Sequence, residues 1–408
     1  MTTVEVHVER EGTAVHVGTL FDHRRRGAES ATCVYQSAYL ADAGAYPLDP
    51  ALPLVAGPQQ TPVRRALFGA MSDSAPDRWG RTLITRRERA LALDQGRTPR
   101  SLGELDFLLG VRDDLRQGAL RFRMPDGPFL AVDDQGVPDL TDLPALLDLA
   151  ARAEDDTADL GELTRLVRLG SSLGGARPKA HVRDRAGQIS IAKFPSADRD
   201  TWNVMAWEKV ALDLAAACQI EVPISTLLDV GGRSVLVLRR FDRRPTGWRI
   251  GYASAMTMLE AVDGQQRSYV EIAEVVEQVS RRPSEELRQL WRRMVFNVLV
   301  SNTDDHLRNH GFLHERDDVW GLAPAFDLNP DPSPGPTFLS TTLDGADRPA
   351  SLEAAVAVAD YFRLGADDAR AVVGVMSTAV RRWPIVARRH GLGAAEIERM
   401  RLAFSAAG

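Results

Sequence analysis

The chain is short of the features that would take it out of the ordinary run of folded proteins. Its 408 residues hold only two cysteines, Cys33 and Cys218, far apart and without the spacing of metal ligands or the density of a disulfide framework. A reducing, cytoplasmic setting is the expectation. No apolar run reaches the roughly 18 residues of a membrane-spanning helix, so no membrane association is expected. Met1-Thr2-Thr3-Val4-Glu5-Val6-His7-Val8 alternates like a strand and has no charged stretch leading into an apolar one, as a secretory leader would. Positive charge is not in excess either: 50 Lys and Arg against 56 Asp and Glu give a net charge of -6. That balance excludes a strongly basic nucleic-acid binder at whole-chain level, leaves local patches such as Arg24-Arg25-Arg26, and routes any DNA contact through a partner. What the chain does have is 44% apolar residues, enough to fill the cores of two or three units of ordinary domain size.

Organisation along the chain changes twice. Strands near Val4–Val8, Ala14–Leu20 and Ala31–Tyr35 open a mixed unit. Ser74 is placed to cap a helix from about Asp77 to Leu93, with Asp77 completing a capping box and Pro76 in the first turn. A helix over Leu102–Leu109 and a polar strand over Gly118–Met124 follow, and the Gly-, Pro- and Asp-rich 126–139 reads as a loop. Helices at Leu140–Ala151 and Asp159–Leu169 lead to a hairpin of Lys179–Asp184 and Gln188–Phe194, a helix over Trp202–Cys218, and a second strand pair, Ile224–Val230 and Arg233–Arg240. The remainder is helical at Val270–Val279, Ser284–Ser301, Ser351–Tyr361, Gly365–Arg382 and Gly393–Phe404. The expected units are 1–125, a nucleotide-binding region over 140–242, and a helix-rich 243–408. The fold class expected is α+β, with two lobes.

Two stretches carry chemistry. Leu169-Gly170-Ser171-Ser172-Leu173-Gly174-Gly175-Ala176-Arg177-Pro178-Lys179 is a glycine-rich approach to a hairpin, where backbone N–H groups can come close to phosphates. A mobile connection is the bland alternative. Lys193 sits in an otherwise apolar strand and has to snorkel or meet an anion. Glu208, on the next helix, is placed to pair with it, the arrangement with which kinases position ATP phosphates; an edge lysine and a solvated glutamate are the competing reading. The strand ending at Arg239-Arg240-Phe241 offers backbone groups to an adenine.

The second stretch is Asn302-Thr303-Asp304-Asp305-His306-Leu307-Arg308-Asn309, delivered by the apolar helix around Trp291–Val300. After the strands Gly311–His314 and Val319–Leu322 comes Ala325-Phe326-Asp327. An acid to orient a hydroxyl, then an asparagine and a second acid to hold magnesium, are the parts of a phosphoryl-transfer site. Three other readings stay open: helix capping by Asp304 or Asp305, a zinc site from His306, His310 and His314, and Ser-His-Asp hydrolysis, which lacks its G-x-S-x-G elbow.

Taken in order, Ser171–Lys179, Lys193, Arg240-Phe241-Asp242-Arg243, Asn302–Asn309 and Phe326-Asp327 resemble the HipA family of bacterial serine/threonine protein kinases, toxins of type II toxin–antitoxin modules. The resemblance spans nearly the whole chain, including Met71-Ser72-Asp73-Ser74-Ala75-Pro76-Asp77. It implies a protein-kinase-like fold binding ATP and Mg2+. Asp304 is then the catalytic aspartate, Asn309 and Asp327 the metal ligands and Lys193 the phosphate lysine. Lys179, Ser172, Gly174, Gly175, Ala176, Glu208, Arg239, Phe241, His306 and Arg308 complete the nucleotide site. Ser172, or its neighbour Ser171, matches the serine at which such kinases autophosphorylate; two added negative charges there would repel ATP phosphates. The implied partners are a small helix-turn-helix antitoxin, DNA only through that antitoxin, and a protein substrate, which in some relatives is an aminoacyl-tRNA synthetase. A catalytically silent kinase-like binding module and a small-molecule kinase are the alternatives. The chain lacks the H-R-D triplet and G-x-G-x-x-G loop of eukaryotic kinases.

Overall fold

The computed structural model describes residues 2–25, 27–129, 136–170, 175–196, 199–346 and 348–408. The chain divides into two compact units. One comprises Met1–Arg199, Arg239–Ala253 and Leu313–Asp318; the other comprises Asp200–Leu238, Ser254–Phe312 and Val319–Gly408.

In the first unit, alternation in the N-terminal sequence becomes a five-stranded antiparallel sheet. Its strands are β1 (Thr3–Arg10), β2 (Thr13–Arg25), β3 (Ala28–Tyr35), β4 (Pro58–Gln60) and β5 (Leu120–Arg123), in the spatial order β4-β3-β2-β1-β5. Val4, Val6 and Val8 of β1 point into the core with Val17, Leu20 and Phe122. Each such side chain contributes about 1.5–3 kcal/mol, against about 0–1 kcal/mol for a surface ion pair, so the apolar face sets the register. That register shifts between Val6 and His7, a bulge that brings His7 opposite His16.

The long helix of this unit is Arg78–Asp94, and its cap differs from the expected one. Asp77 is itself the N-cap, its Oδ1 accepting from Gly80 N at 2.7 Å. Ser74 instead donates its hydroxyl to Met71 O at 2.9 Å, closing the preceding short helix Gly69–Asp73. The sequence holds two capping residues three apart, and the intervening Pro76 ends one helix before the next starts. Helix Arg78–Asp94 packs on Leu160–Gly170, whose buried stripe is Leu163, Leu166 and Val167. Gly170 ends that helix where no larger residue fits: a Cβ there would sit 2.5 Å from Lys179 O. The hairpin of β6 (Lys179–Arg183) and β7 (Ile189–Lys193) follows, with Lys179 opposite Lys193.

A buried polar cluster also holds this unit together. Arg240 donates to Asp242 Oδ1 at 2.8 Å and to Arg116 O at 2.9 Å, while Gly118 N donates to Asp242 Oδ2 at 2.8 Å. Arg243 joins the same carboxylate at 2.9 Å. Burial alone would push the Asp242 carboxyl up, but the adjacent Arg240 and Arg243 guanidiniums outweigh it and hold the group well below the usual carboxylate range. His181 completes the cluster: Nδ1 donates to Leu169 O at 2.8 Å and Nε2 accepts from Arg240 at 3.2 Å. Burial, reinforced by the Arg240 charge, lowers the imidazole to about 3.

The second unit is mostly helical. Helix Val204–Ala217 starts at Asn203, which accepts from Ala206 N at 3.1 Å, and Trp207 lies against Trp383 and Phe404. Strands β8 (Ser225–Val230) and β9 (Arg233–Arg239) form a hairpin. Helix Tyr269–Val279 opens with a reciprocal Ser268–Glu271 capping box. Helix Pro283–Leu299 carries Pro283 in its first turn and buries Leu287, Leu290, Trp291, Met294, Val295 and Phe296. Trp383–Arg389 is a helix that the sequence pattern does not reveal, because Pro384 reads as a breaker; here it occupies the first turn, where its missing N–H costs nothing.

Two outcomes test the buried cluster. Asp242→Asn leaves Arg240 and Arg243 without a counter-charge and is expected to cost about 3–5 kcal/mol in denaturant titration; a cost below 1 kcal/mol would remove the cluster from the account. For His181, the folded pKa lies below the unfolded value near 6.5, so between the two only the unfolded chain takes up the proton. Stability is therefore full above about pH 6.5 and falls as pH drops, with a slope of up to about 1.4 kcal/mol per pH unit from this group. The stability slope between pH 6.5 and 5 should be shallower in His181→Gln, and an unchanged slope would contradict the assignment.

Candidate active site

The site in the second unit begins where helix Pro283–Leu299 ends. Ser301 takes a left-handed conformation with φ 51°, and Asn302 N donates back to Asn297 O at 2.9 Å. The chain thereby leaves the apolar helix in a fixed direction. The two neighbouring acids then part company. Asp305 is buried at 2% exposure, whereas Asp304 is exposed.

Asp305 is held by three groups. The Tyr269 hydroxyl donates to Oδ2, His310 Nε2 lies 2.8 Å from Oδ1, and the Asp305 carbonyl accepts from Thr341 N at 3.0 Å and Thr341 Oγ1 at 2.6 Å. Burial, and then the Asp305 charge, raise Tyr269 well above its ordinary pKa, so the phenol stays a donor. A buried ionised carboxylate is tolerated only with such partners. With Asp305 anchored inward, the preceding side chain is turned to solvent. Asn309 is lashed to the same turn: its Nδ2 donates to Asp304 O at 2.9 Å and its N–H to His306 O at 2.8 Å. The side-chain oxygen of Asn309 takes no part in that bond.

Asp327 is reached through a continuous chain of hydrogen bonds. Asn297 Nδ2 donates to the Tyr269 hydroxyl at 2.9 Å, and Asn302 Nδ2 to Asn297 Oδ1 at 3.1 Å. Asn329 N donates to Asn302 Oδ1 at 3.4 Å, and Asn329 Nδ2 to Asp327 Oδ1 at 3.2 Å. Asp327 has φ 57°, a left-handed conformation that Asp tolerates better than most residues. Thr303 Oγ1 donates to Asp331 Oδ2 at 3.0 Å, fastening the same two segments a second time. Tyr269, Asn297, Asn302 and Asn329 are the supporting residues that motif reading misses. The one signal available was Asn297 inside the otherwise apolar run Met294–Val300, a polar group that burial obliges to find partners.

The remaining candidates fall out as follows. Arg308 pairs with Asp263, and His306 is half-buried with no partner for Nδ1 among the described residues. His310 serves Asp305, and His314 stacks on Tyr46 with ring centroids 3.7 Å apart. The two are engaged separately, and no zinc cluster of His306, His310 and His314 occurs among the described residues. Glu208 is buried at 1% exposure on its helix.

In the first unit, Lys179 and Lys193 are cross-strand neighbours on β6 and β7. The Lys179 ammonium is bonded to Asp77, the helix cap, and lies 3.3 Å from Gly175 O. Gly175 has φ 109°, which suits glycine, and Ala176 O accepts from Arg199 at 3.3 Å. Arg239 donates to Asp184 at 2.9 Å, and Phe241 lies 6.4 Å from Tyr252. Ser171, Ser172 and Gly174 lie outside the described residues.

The donor chemistry fits Mg2+. Asn309 and Asp327 offer hard oxygens from a carboxamide and a carboxylate, each with a second bond that fixes its orientation.

Comparison with known proteins gives the family. Residues 171–383 match the family model for the HipA-like C-terminal domain. "Putative kinase Y4mE" of Sinorhizobium fredii is 24% identical over 321 residues, covering 72% of this chain and 70% of that protein. A "Putative kinase" of Haemophilus influenzae is 33% identical over 76 residues, covering 19% of this chain and 22% of that protein. Among solved structures, the chain is similar to one in the Shewanella oneidensis MR-1 toxin–antitoxin complex of HipA, HipB and operator DNA. The TM-score is 0.64 at 16% identity, over 99% of this chain and 95% of that one, and this likeness establishes a shared fold. With the family model spanning more than half of the 408 residues, the chain belongs to the HipA family.

Proposed function

We propose that the chain is an ATP- and Mg2+-dependent serine/threonine protein kinase acting as the toxin of a toxin–antitoxin pair. The observation that carries this reading is the pairing of exposed Asp304 with anchored Asp305, with Asn309 bonded to the Asp304 carbonyl. ATP with Mg2+ would supply the transferable phosphoryl group and neutralise its charge. Asp304 would accept a hydrogen bond from the substrate hydroxyl and orient it for attack. Asn309 and Asp327 would hold the cation. The buried chain from Tyr269 to Asn329 keeps these groups in register, as a site of this kind requires.

Lys193 is proposed to meet the nucleotide phosphates. Lys179 is already bonded to Asp77, so its part is to brace the glycine-rich approach at Gly175. Ser172 or Ser171 is proposed as the autophosphorylation site. A small helix-turn-helix antitoxin is the proposed partner, with DNA engaged only through it, and an aminoacyl-tRNA synthetase is one proposed substrate class. No helix of the described residues is long and apolar enough to cross a membrane, and a cytoplasmic setting fits the two buried free cysteines, Cys33 and Cys218.

Incubation with labelled ATP, followed by phosphopeptide mapping, should place phosphate on Ser171 or Ser172. Asp304→Asn should lower transfer by on the order of 10²- to 10⁴-fold while leaving the unfolding midpoint unchanged. Full transfer by that variant, or none by the parent protein, would favour a binding module without catalysis. Tyr269→Phe removes the donor to Asp305 and should cost about 1–3 kcal/mol of stability while also slowing transfer. A variant with unaltered rate and stability would show that Asp304 does not depend on the buried network.

A further inference from the structure

We propose that Glu5, His7 and His16 form a binding site for a divalent transition-metal ion of the zinc class on the N-terminal sheet. The bulge in β1–β2 creates the arrangement. It sets His16 directly opposite His7, while Glu5, two residues earlier on β1, shares the face of His7. One donor atom from each of the three lies within 4.8 Å of the other two.

The surroundings orient these side chains as ligands. His16 Nε2 donates to Gly18 O at 3.1 Å, which leaves Nδ1 as the lone-pair nitrogen. A backbone carbonyl on the far nitrogen is the usual support of a metal-binding imidazole. Arg123 Nε donates to Glu5 Oε2 at 2.5 Å, holding the carboxylate while Oε1 stays available. His7 is 4% exposed and turns Nε2 to within 4.0 Å of Glu5, and its buried Nδ1 has no hydrogen-bond partner among the described residues. Phe129 meets the His7 ring edge-on, with centroids 5.3 Å apart, and the His7 and His16 rings stack at 4.7 Å.

Two arginines border the site. Arg121 is bonded to Asp113 at 2.7 Å and lies 3.6 Å from Glu9, and Arg123 is bonded to Glu5. Arg121 thus has counter-ions outside the ligand set, and Arg123 would share Glu5 with the cation. Two imidazoles and one carboxylate select zinc, cobalt, nickel or copper over magnesium and calcium. Donor distances of about 2.0–2.2 Å require the two rings to rotate toward Glu5 on binding, and leave a fourth position for water. This site is made from residues that the kinase reading does not use.

The test is a Co2+ titration of the full-length, metal-stripped protein, followed by visible absorption. One equivalent is expected to bind, to be displaced by Zn2+ and to be indifferent to Mg2+. His16→Asn and Glu5→Gln, both at partly exposed positions and so expected to fold, should each weaken binding by at least about tenfold. Absence of a Co2+ spectrum from the parent protein, displacement by Mg2+, or parental affinity in either variant would overturn the assignment.

Discussion

The candidate site of the second unit is organised around the buried Asp305 carboxylate. Burying an ionised carboxylate costs several kcal/mol unless hydrogen bonds replace the lost water, and Asp305 has the Tyr269 hydroxyl in place of it, with His310 Nε2 2.8 Å from Oδ1. Tyr269 is itself fully buried, and its oxygen also receives Asn297. None of these groups can leave without stranding another. The consequence for function lies one residue away, because inward commitment of Asp305 is what leaves Asp304 facing outward.

The same network accounts for how two segments distant in sequence are held as one site. Asn302 and Asn329 extend it from the helix end to Asp327. Left-handed backbone at Ser301 and Asp327 marks the two places where the chain turns sharply into the site. Such conformations are sparsely populated and persist where surrounding bonds over-determine them. Here the bonds are visible on both sides: Asp331 N to Ser301 O at 3.2 Å, and Asn329 to Asp327. Phosphoryl transfer depends on positioning and electrostatics more than on covalent chemistry, so rigidity of this kind is the main thing a protein can supply.

Much of the fold was legible because periodicity is local. The strands of the first unit, the hairpin Lys179–Lys193 and the helices Val204–Ala217 and Pro283–Leu299 follow from alternation or helical spacing with nearby caps. What escaped depended on distant partners. Asp77 reads as the third residue of a capping box, yet it is the cap itself and also the partner of Lys179. Asp304 and Asp305 are identical in sequence terms, and only burial separates them. Glu5, His7 and His16 acquire meaning only when a bulge sets the register of two strands. The motif from Asn302 to Asn309 was visible, but the asparagines and tyrosine beneath it were not, since a buried hydrogen-bond chain leaves no periodic trace.

The central claim is that Asn309 and Asp327, fixed through the Tyr269–Asn329 chain, hold the cation of a nucleotide complex. The most direct measurement is titration of Mn2+, standing in for Mg2+, into the protein with a non-hydrolysable ATP analogue, read by electron paramagnetic resonance. The account predicts nucleotide-dependent Mn2+ binding that weakens at least about tenfold in both Asn309→Ala and Asp327→Asn. Binding of equal strength in the parent and both variants would contradict it.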